Sequence, residues 1–242
     1  MIAANWQAPP HIKAFTTIRD GGASGTPFVS NNFGQHVGDN PAAVAANRAL
    51  LRQQLPSEPL WLEQVHSTII VNGDKANSTA VIPTADGAIT QMANRVMAVM
   101  TADCLPLLIC DRRGQQVAAV HAGWRGLANG IIEQSVAKFN VAPQDLMVWL
   151  GPAIGANAFE VGQDVVDCFV KQRPQDLECF TRVGEKYLAN LYQLARARLA
   201  DLGIKQVSGG DYCTYTQQEL FFSYRRDGQT GRMVSLIWIE SI

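Results

Sequence analysis

The 242-residue sequence predicts a single α+β domain with an extensive mixed sheet and flanking helices. Short β-compatible runs follow one another through the middle of the chain with no helix between them, which regular βαβ units do not produce. Helical periodicity is confined to the stretches before and after that centre. No low-complexity tract, Gly/Ser linker or solenoid-length repeat divides the chain, so residues 1–242 are expected to form one domain. Hydrophobic residues at 47% and charged residues at 17% leave enough apolar surface for a substantial core.

An opening strand is expected over 12–18, followed by a Gly- and Asn-rich loop from Arg19 to Gly38. Loops of that length without their own structure tend to be functional. Asn40 and Pro41 read as the N-cap and first turn of a helix whose apolar face carries Val44, Leu51 and Leu55. Arg48 lies near that stripe, either as a snorkelling surface residue or as a buried anion ligand. Strands follow at 88–90, 96–101, 105–110 and 117–121, broken by Gly, Asp and Arg. A glycine turn after His121 leads into a helix expected over 127–139. Further on come a strand over 147–150, a segment 159–161, helices over 163–172 and 187–202, and a closing strand over 234–239.

A formal net charge of -1 gives no general footprint for nucleic acid or an anionic membrane. The N-terminal residues lack the basic and apolar regions of a signal peptide, and no apolar run approaches the ~20 residues that span a bilayer. Five scattered cysteines do not resemble a secreted disulfide framework. The chain is therefore expected to be cytoplasmic, with reduced thiols.

Cys104 is the centre of the candidate chemistry. It stands in Thr101-Ala-Asp-Cys-Leu-Pro106, between Trp61-Leu-Glu-Gln-Val-His66 and His121-Ala-Gly-Trp-Arg-Gly126. Two imidazoles and a thiolate suit zinc and also copper, and three protein ligands leave a tetrahedral ion one open position. The separations match no short zinc-binding pattern, so only the fold can bring these side chains together. Against this stands the ordinary reading of each as a packed or hydrogen-bonded residue. Alternation along extended chain turns Asp103 away from Cys104 and Glu63 away from His66. Neither acid is then a natural fourth ligand, although Asp103 could orient a neighbouring group.

These motifs, with Gly151-Pro-Ala-Ile154 and Phe222-Ser-Tyr-Arg-Arg226, resemble the YfiH-like laccase-domain proteins, also called multicopper polyphenol oxidoreductases. Asn31-Asn-Phe-Gly34, His36-Val-Gly-Asp39 and Asn47-Arg48 are similar to that family's N-terminal pattern, and the likeness runs from about Phe15 to Trp238. The resemblance implies a fold akin to the catalytic domain of cytotoxic necrotizing factor toxins. It also implies that His66, Cys104 and His121 form the catalytic centre and bind one metal, usually zinc. Family members resemble purine nucleoside phosphorylases that also cleave methylthioadenosine and deaminate adenosine; others have been assigned polyphenol oxidation or peptidoglycan editing.

The histidine supply tests the oxidase description. Once His66 and His121 are used, only His11 and His36 remain, too few for the further copper cluster of a multicopper oxidase. A single copper in the same site is compatible with the donor set. A zinc hydrolase or transferase fits better, because zinc makes hydroxide available near neutral pH. Phosphorolysis needs cationic groups for phosphate, for which Asn32 and Arg48 are the first candidates and Arg125 the next. In a metal-free alternative Cys104 is a thiolate nucleophile with His121 or His66 as its base, acting as a hydrolase on peptidoglycan precursors. In a scaffold alternative zinc is structural and Cys110 supplies a fourth ligand. Cys168, Cys179 and Cys213 read as structural, with Cys213 the first exception because it opens a polar loop; Trp124 and Tyr224 could stack a purine, but capping the core is the safer reading for both.

Overall fold

The computed structural model describes residues 1–76 and 81–241. Strands β1 (Ile2–Ala3) and β2 (Ile12–Thr16) open the chain, and helix α1 (Pro41–Arg52) follows the long loop. The centre contains β3 (Ile70–Asn72), β4 (Gly87–Thr90), β5 (Met97–Thr101), β6 (Leu105–Asp111) and β7 (Val117–Ala122). Next come helices α2 (Trp124–Ala128) and α3 (Ile131–Val136), strands β8 (Leu146–Leu150) and β9 (Glu160–Val161), and helix α4 (Gln163–Val170). The remainder comprises β10 (Phe180–Val183), β11 (Lys186–Ala189), α5 (Leu191–Asp201), β12 (Gln206–Gly209), α6 (Tyr224–Asp227) and β13 (Met233–Ile239).

The strands form two packed sheets and a small third one. An antiparallel sheet has the order β1-β2-β13-β5, and a mixed six-stranded sheet the order β12-β8-β6-β7-β4-β3. Alternation assigns their faces. In β6, Leu105, Leu107 and Ile109 face helices α2 to α5, whereas Leu108 and Cys110 face the antiparallel sheet. In β5, Met97 and Val99 face the mixed sheet, whereas Ala98 and Met100 pack under α1 with Leu51 and Leu55. Both faces of β5, β6 and β7 are covered, so these strands are buried throughout and read as near-continuous apolar runs. The fold is thus layered helix, sheet, sheet, helices.

The α+β class and the central strands match expectation, and two helices do not. The helix expected over 127–139 is two short ones, because Gly130 adopts a left-handed φ of 93° between them. The helix expected over 187–202 starts at Leu191. Asn190 caps it by accepting the Gln193 N–H, and residues 186–189 pair with β10 and β9 instead. Strands β1, β3, β10 and β12 had no clear sequence signal.

Candidate metal centre and its cavity

Strand register builds the site on β7. In the β6–β7 ladder Pro106 faces His121 and Leu105 faces Ala122, so Cys104 comes beside Gly123 at the end of the ladder. In the β4–β7 ladder Gly87 faces Val120, which sets Asp86 beside His121, whose N–H donates to the Asp86 carbonyl at 2.7 Å. Cys104 also lies where the chain crosses from the antiparallel sheet (β5) to the mixed one (β6). His66 arrives from the loop before β3.

Among the described residues, His66, Cys104 and His121 form the group able to hold a metal ion, with donor atoms all within 4.8 Å of one another. Cys104 Sγ is 3.8 Å from His66 Nε2, and the two imidazole centroids are 4.9 Å apart. Tetrahedral zinc with one S and one N ligand would hold those donors roughly 3.5 Å apart, so only a slight closure is needed. Gly123 keeps the space open: a Cβ there would stand 2.7 Å from His66 Cδ2 and 3.2 Å from Cys104 Sγ.

Asp86 organises this cluster and was not foreseen in the sequence. It is fully buried, and its carboxylate accepts from His121 Nδ1 at 2.8 Å, from the N–H groups of Val65, His66 and Ser67, and from the Ser67 hydroxyl. The bond to Nδ1 turns His121 Nε2 toward the cluster, as histidine ligands generally require. The bonds to residues 65–67 hold His66 in a left-handed conformation with φ 58°. The only signal was an acid immediately before the buried 87–90 strand.

Electrostatics follow from this packing. Burial pushes the Asp86 carboxyl up, but His121 and Ser67 outweigh it and hold it at about 2. Burial also raises the Cys104 thiol, yet the His121 and His66 imidazoles bring it down to about 6. Burial lowers His121, and the Cys104 thiolate with Asp86 raises it to about 9. Without metal, each group thus shifts the other toward its charged form, thiolate on Cys104 and imidazolium on His121.

The cluster is on the wall of a cavity of about 560 Å³. Trp124, Phe159 and Tyr224 supply aromatic surface, and Arg125, Arg225 and Arg232 supply positive charge. Tyr224 is 61% exposed, so it does not cap the core, and Trp124 is half-buried in the cavity wall. Arg125 lines the cavity with its guanidinium 4.3 Å over Trp124.

The other sequence candidates have different surroundings. Asn32 is fully buried, and its amide bonds to the Gly34 backbone, Asp39 and the Arg232 N–H. Arg48 lines an adjoining cavity of about 430 Å³ that shares His36 and Met100 with the first. Its guanidinium lies 3.9 Å over Trp61 and donates twice to the Phe33 carbonyl, so it is neither a surface ion pair nor a free side chain. Burial pulls its pKa down to about 10. Asp103 is not in extended chain, having φ 88°, and it bonds Thr214 and the Arg225 N–H rather than either histidine. Glu63 accepts from Thr84. Cys110 lies in the core outside the donor group, with burial pushing its thiol to about 12, so it is not a fourth ligand. Cys213 accepts the Gly155 N–H at 3.2 Å.

Fold and site together define a class: a sandwich of two sheets between helices, with a three-donor cluster opening onto an aromatic, cationic cavity. The chain belongs to the family described as multi-copper polyphenol oxidoreductase laccase, whose model matches residues 13–240. A Haemophilus influenzae relative named purine nucleoside phosphorylase is 49% identical over 99% of both chains. The Escherichia coli protein named purine nucleoside phosphorylase YfiH is 48% identical over 99% of this chain and 98% of its own. Among solved structures, a Neisseria meningitidis protein superposes with TM-score 0.95 at 48% identity over 99% of both chains. YlmD from Geobacillus stearothermophilus gives 0.89 at 32% identity, over 98% of this chain and 96% of that one.

Proposed function

We propose that the protein is a metal-dependent purine nucleoside phosphorylase acting on adenosine, inosine and methylthioadenosine, with adenosine deamination at the same centre. The observation that carries this reading is the open three-donor cluster beneath a cavity of nucleoside size. Relatives named purine nucleoside phosphorylase match over nearly their whole length. His66, Cys104 and His121 would hold the ion, zinc by preference and copper as an alternative occupant of the same donor set. When bound, zinc supplies a Lewis acid and lowers the pKa of water toward 7. Asp86 holds His121 in the tautomer that offers Nε2, and the cavity's aromatic side chains Trp124 and Tyr224 would flank the purine. The test is release of hypoxanthine or adenine from nucleoside plus phosphate, measured before and after chelation and again after zinc is restored.

A second reading is favoured by one feature: Asp86, His121 and Cys104 are linked as acid, imidazole and depressed thiol. In that reading Cys104 is a nucleophile toward an amide, such as that of a peptidoglycan precursor. His66 is the discriminator, since a thiol–imidazole–acid triad does not use it and a metal centre does. His66→Ala should abolish activity under the metal reading and leave most of it under the thiol reading.

A further inference from the structure

The cavity lining carries more cationic than anionic side chains: Arg125, Arg225 and Arg232 stand against Asp103 and the Cys104 thiol. Asp103 is the one acid among its described lining residues, and its carboxylate accepts from Thr214 Oγ1 at 2.6 Å and the Arg225 N–H at 2.7 Å. Three arginines of the 225–232 segment contrast sharply in their bonding. Arg226 is tied down completely, to the Asp227 carboxylate and to the carbonyls of Thr214, Tyr215 and Phe221. Arg232 is held by its stem and by one nitrogen. Its Cβ and Cγ pack on Gly34, where a side chain would come within 2.9 Å, and Nη1 donates to the carbonyls of Thr230 and Gly231 at 3.0 Å each. Arg225 is likewise positioned rather than paired: Nη1 donates to the Glu160 carbonyl at 2.6 Å, with the guanidinium 5.2 Å over Phe159. Neither Arg225 nor Arg232 makes a salt bridge to a carboxylate among the described residues, although Asp103 and Cys104 lie near enough to Arg232 to act on its charge.

Guanidiniums held in place, lining a cavity and making no direct salt bridge are arranged to receive an anion, and their planar forks match a tetrahedral oxyanion. We propose that Arg232 and Arg225 form the binding site for inorganic phosphate, the co-substrate of phosphorolysis. This inference rests on the purine nucleoside reading above. In the reaction, an oxygen of hydrogenphosphate bonds to C1′ of the nucleoside as the C1′–N9 bond breaks. The bonding pair leaves with the purine, and the proton that phosphate brought ends on the purine nitrogen, giving ribose 1-phosphate and free base. Asp103 bonds the Arg225 N–H and precedes Cys104 in the chain, so the phosphate side chains and the metal donors are built on one connected loop system.

The test compares Arg232→Gln, Arg225→Gln and Arg232→Lys with the wild-type holoenzyme. KM for phosphate at saturating inosine should rise at least tenfold in Arg232→Gln and several-fold in Arg225→Gln, with KM for inosine changed less than twofold. Arg232→Lys, which keeps the charge but loses the fork, should fall between. Titration calorimetry with inorganic phosphate alone should show the same order of weakening. If Arg232→Gln does not fold, the exposed Arg225 side chain still permits the measurement. Phosphate KM and affinity unchanged in both glutamine variants, with phosphorolysis intact, would overturn the phosphate site and leave the purine reading standing. Arginine-dependent phosphate binding by a protein that cleaves no nucleoside would uphold the site and sink the purine reading.

Discussion

Asp86 touches more of the cluster than any of its three donor side chains does, because one buried carboxylate bonds both His121 Nδ1 and the His66 turn. Asp86→Asn keeps the shape but removes the charge, and metal affinity should fall ~10–100-fold, as measured by competition with a chelating dye. In the metal-free protein the depressed Cys104 thiol has a clear sign: thiolate is present above its pKa of about 6 and lost as pH falls through that value. Alkylation by iodoacetamide should therefore rise with a midpoint near pH 6, and the midpoint should move upward in Asp86→Asn. A midpoint near 9 in the wild type would contradict the ion pair. The clustering of His66, Cys104 and His121 was legible in the sequence because borderline-soft donors in compact motifs are chemically distinctive. Asp86 was not, because what brings it to the cluster is its register beside His121, and register is a property of pairing rather than of composition. Arg48 shows the same limit: its position beside the core stripe was visible, its stacking on Trp61 was not.

Strand pairing converts sequence separation into contact. Antiparallel ladders on both sides of β7 deliver Cys104 and Asp86 to the same end of one strand, although 18 positions separate them in the chain. Gly123 follows from that geometry. Gly123→Ala should abolish stoichiometric metal binding while leaving the fold intact, because the added methyl meets His66 and Cys104 rather than the core. Elemental analysis together with circular dichroism separates the two effects. Gly130→Ala belongs to a different class. Its nearest contact would be an ordinary 3.4 Å, so the cost is the left-handed backbone alone, ~1–2 kcal/mol, and Tm should fall by several degrees with metal content unchanged. The central strands could be read from the chain because both of their faces are buried. The break at Gly130 and the cap at Asn190 were obscured by apolar spacing that continues across them.

At the scale of the molecule, the site occupies the place where the chain leaves one sheet and enters the other, between Thr101 and Leu105. Two cores close around it, and the cavity opens at the sheet ends, where the 222–232 segment brings in arginines that are distant in sequence. The sheet order, which makes this assembly, was not readable from local patterns; the α+β class was. Because the ion would join three separate segments, its removal should lower Tm, and the loss should grow with the affinity of the bound metal. The measurement that bears most directly on the account pairs metal content per chain with inosine phosphorolysis before and after chelation. About one zinc per chain, with base release that disappears on chelation and returns with zinc, is the predicted result; full phosphorolysis by metal-free protein would contradict it.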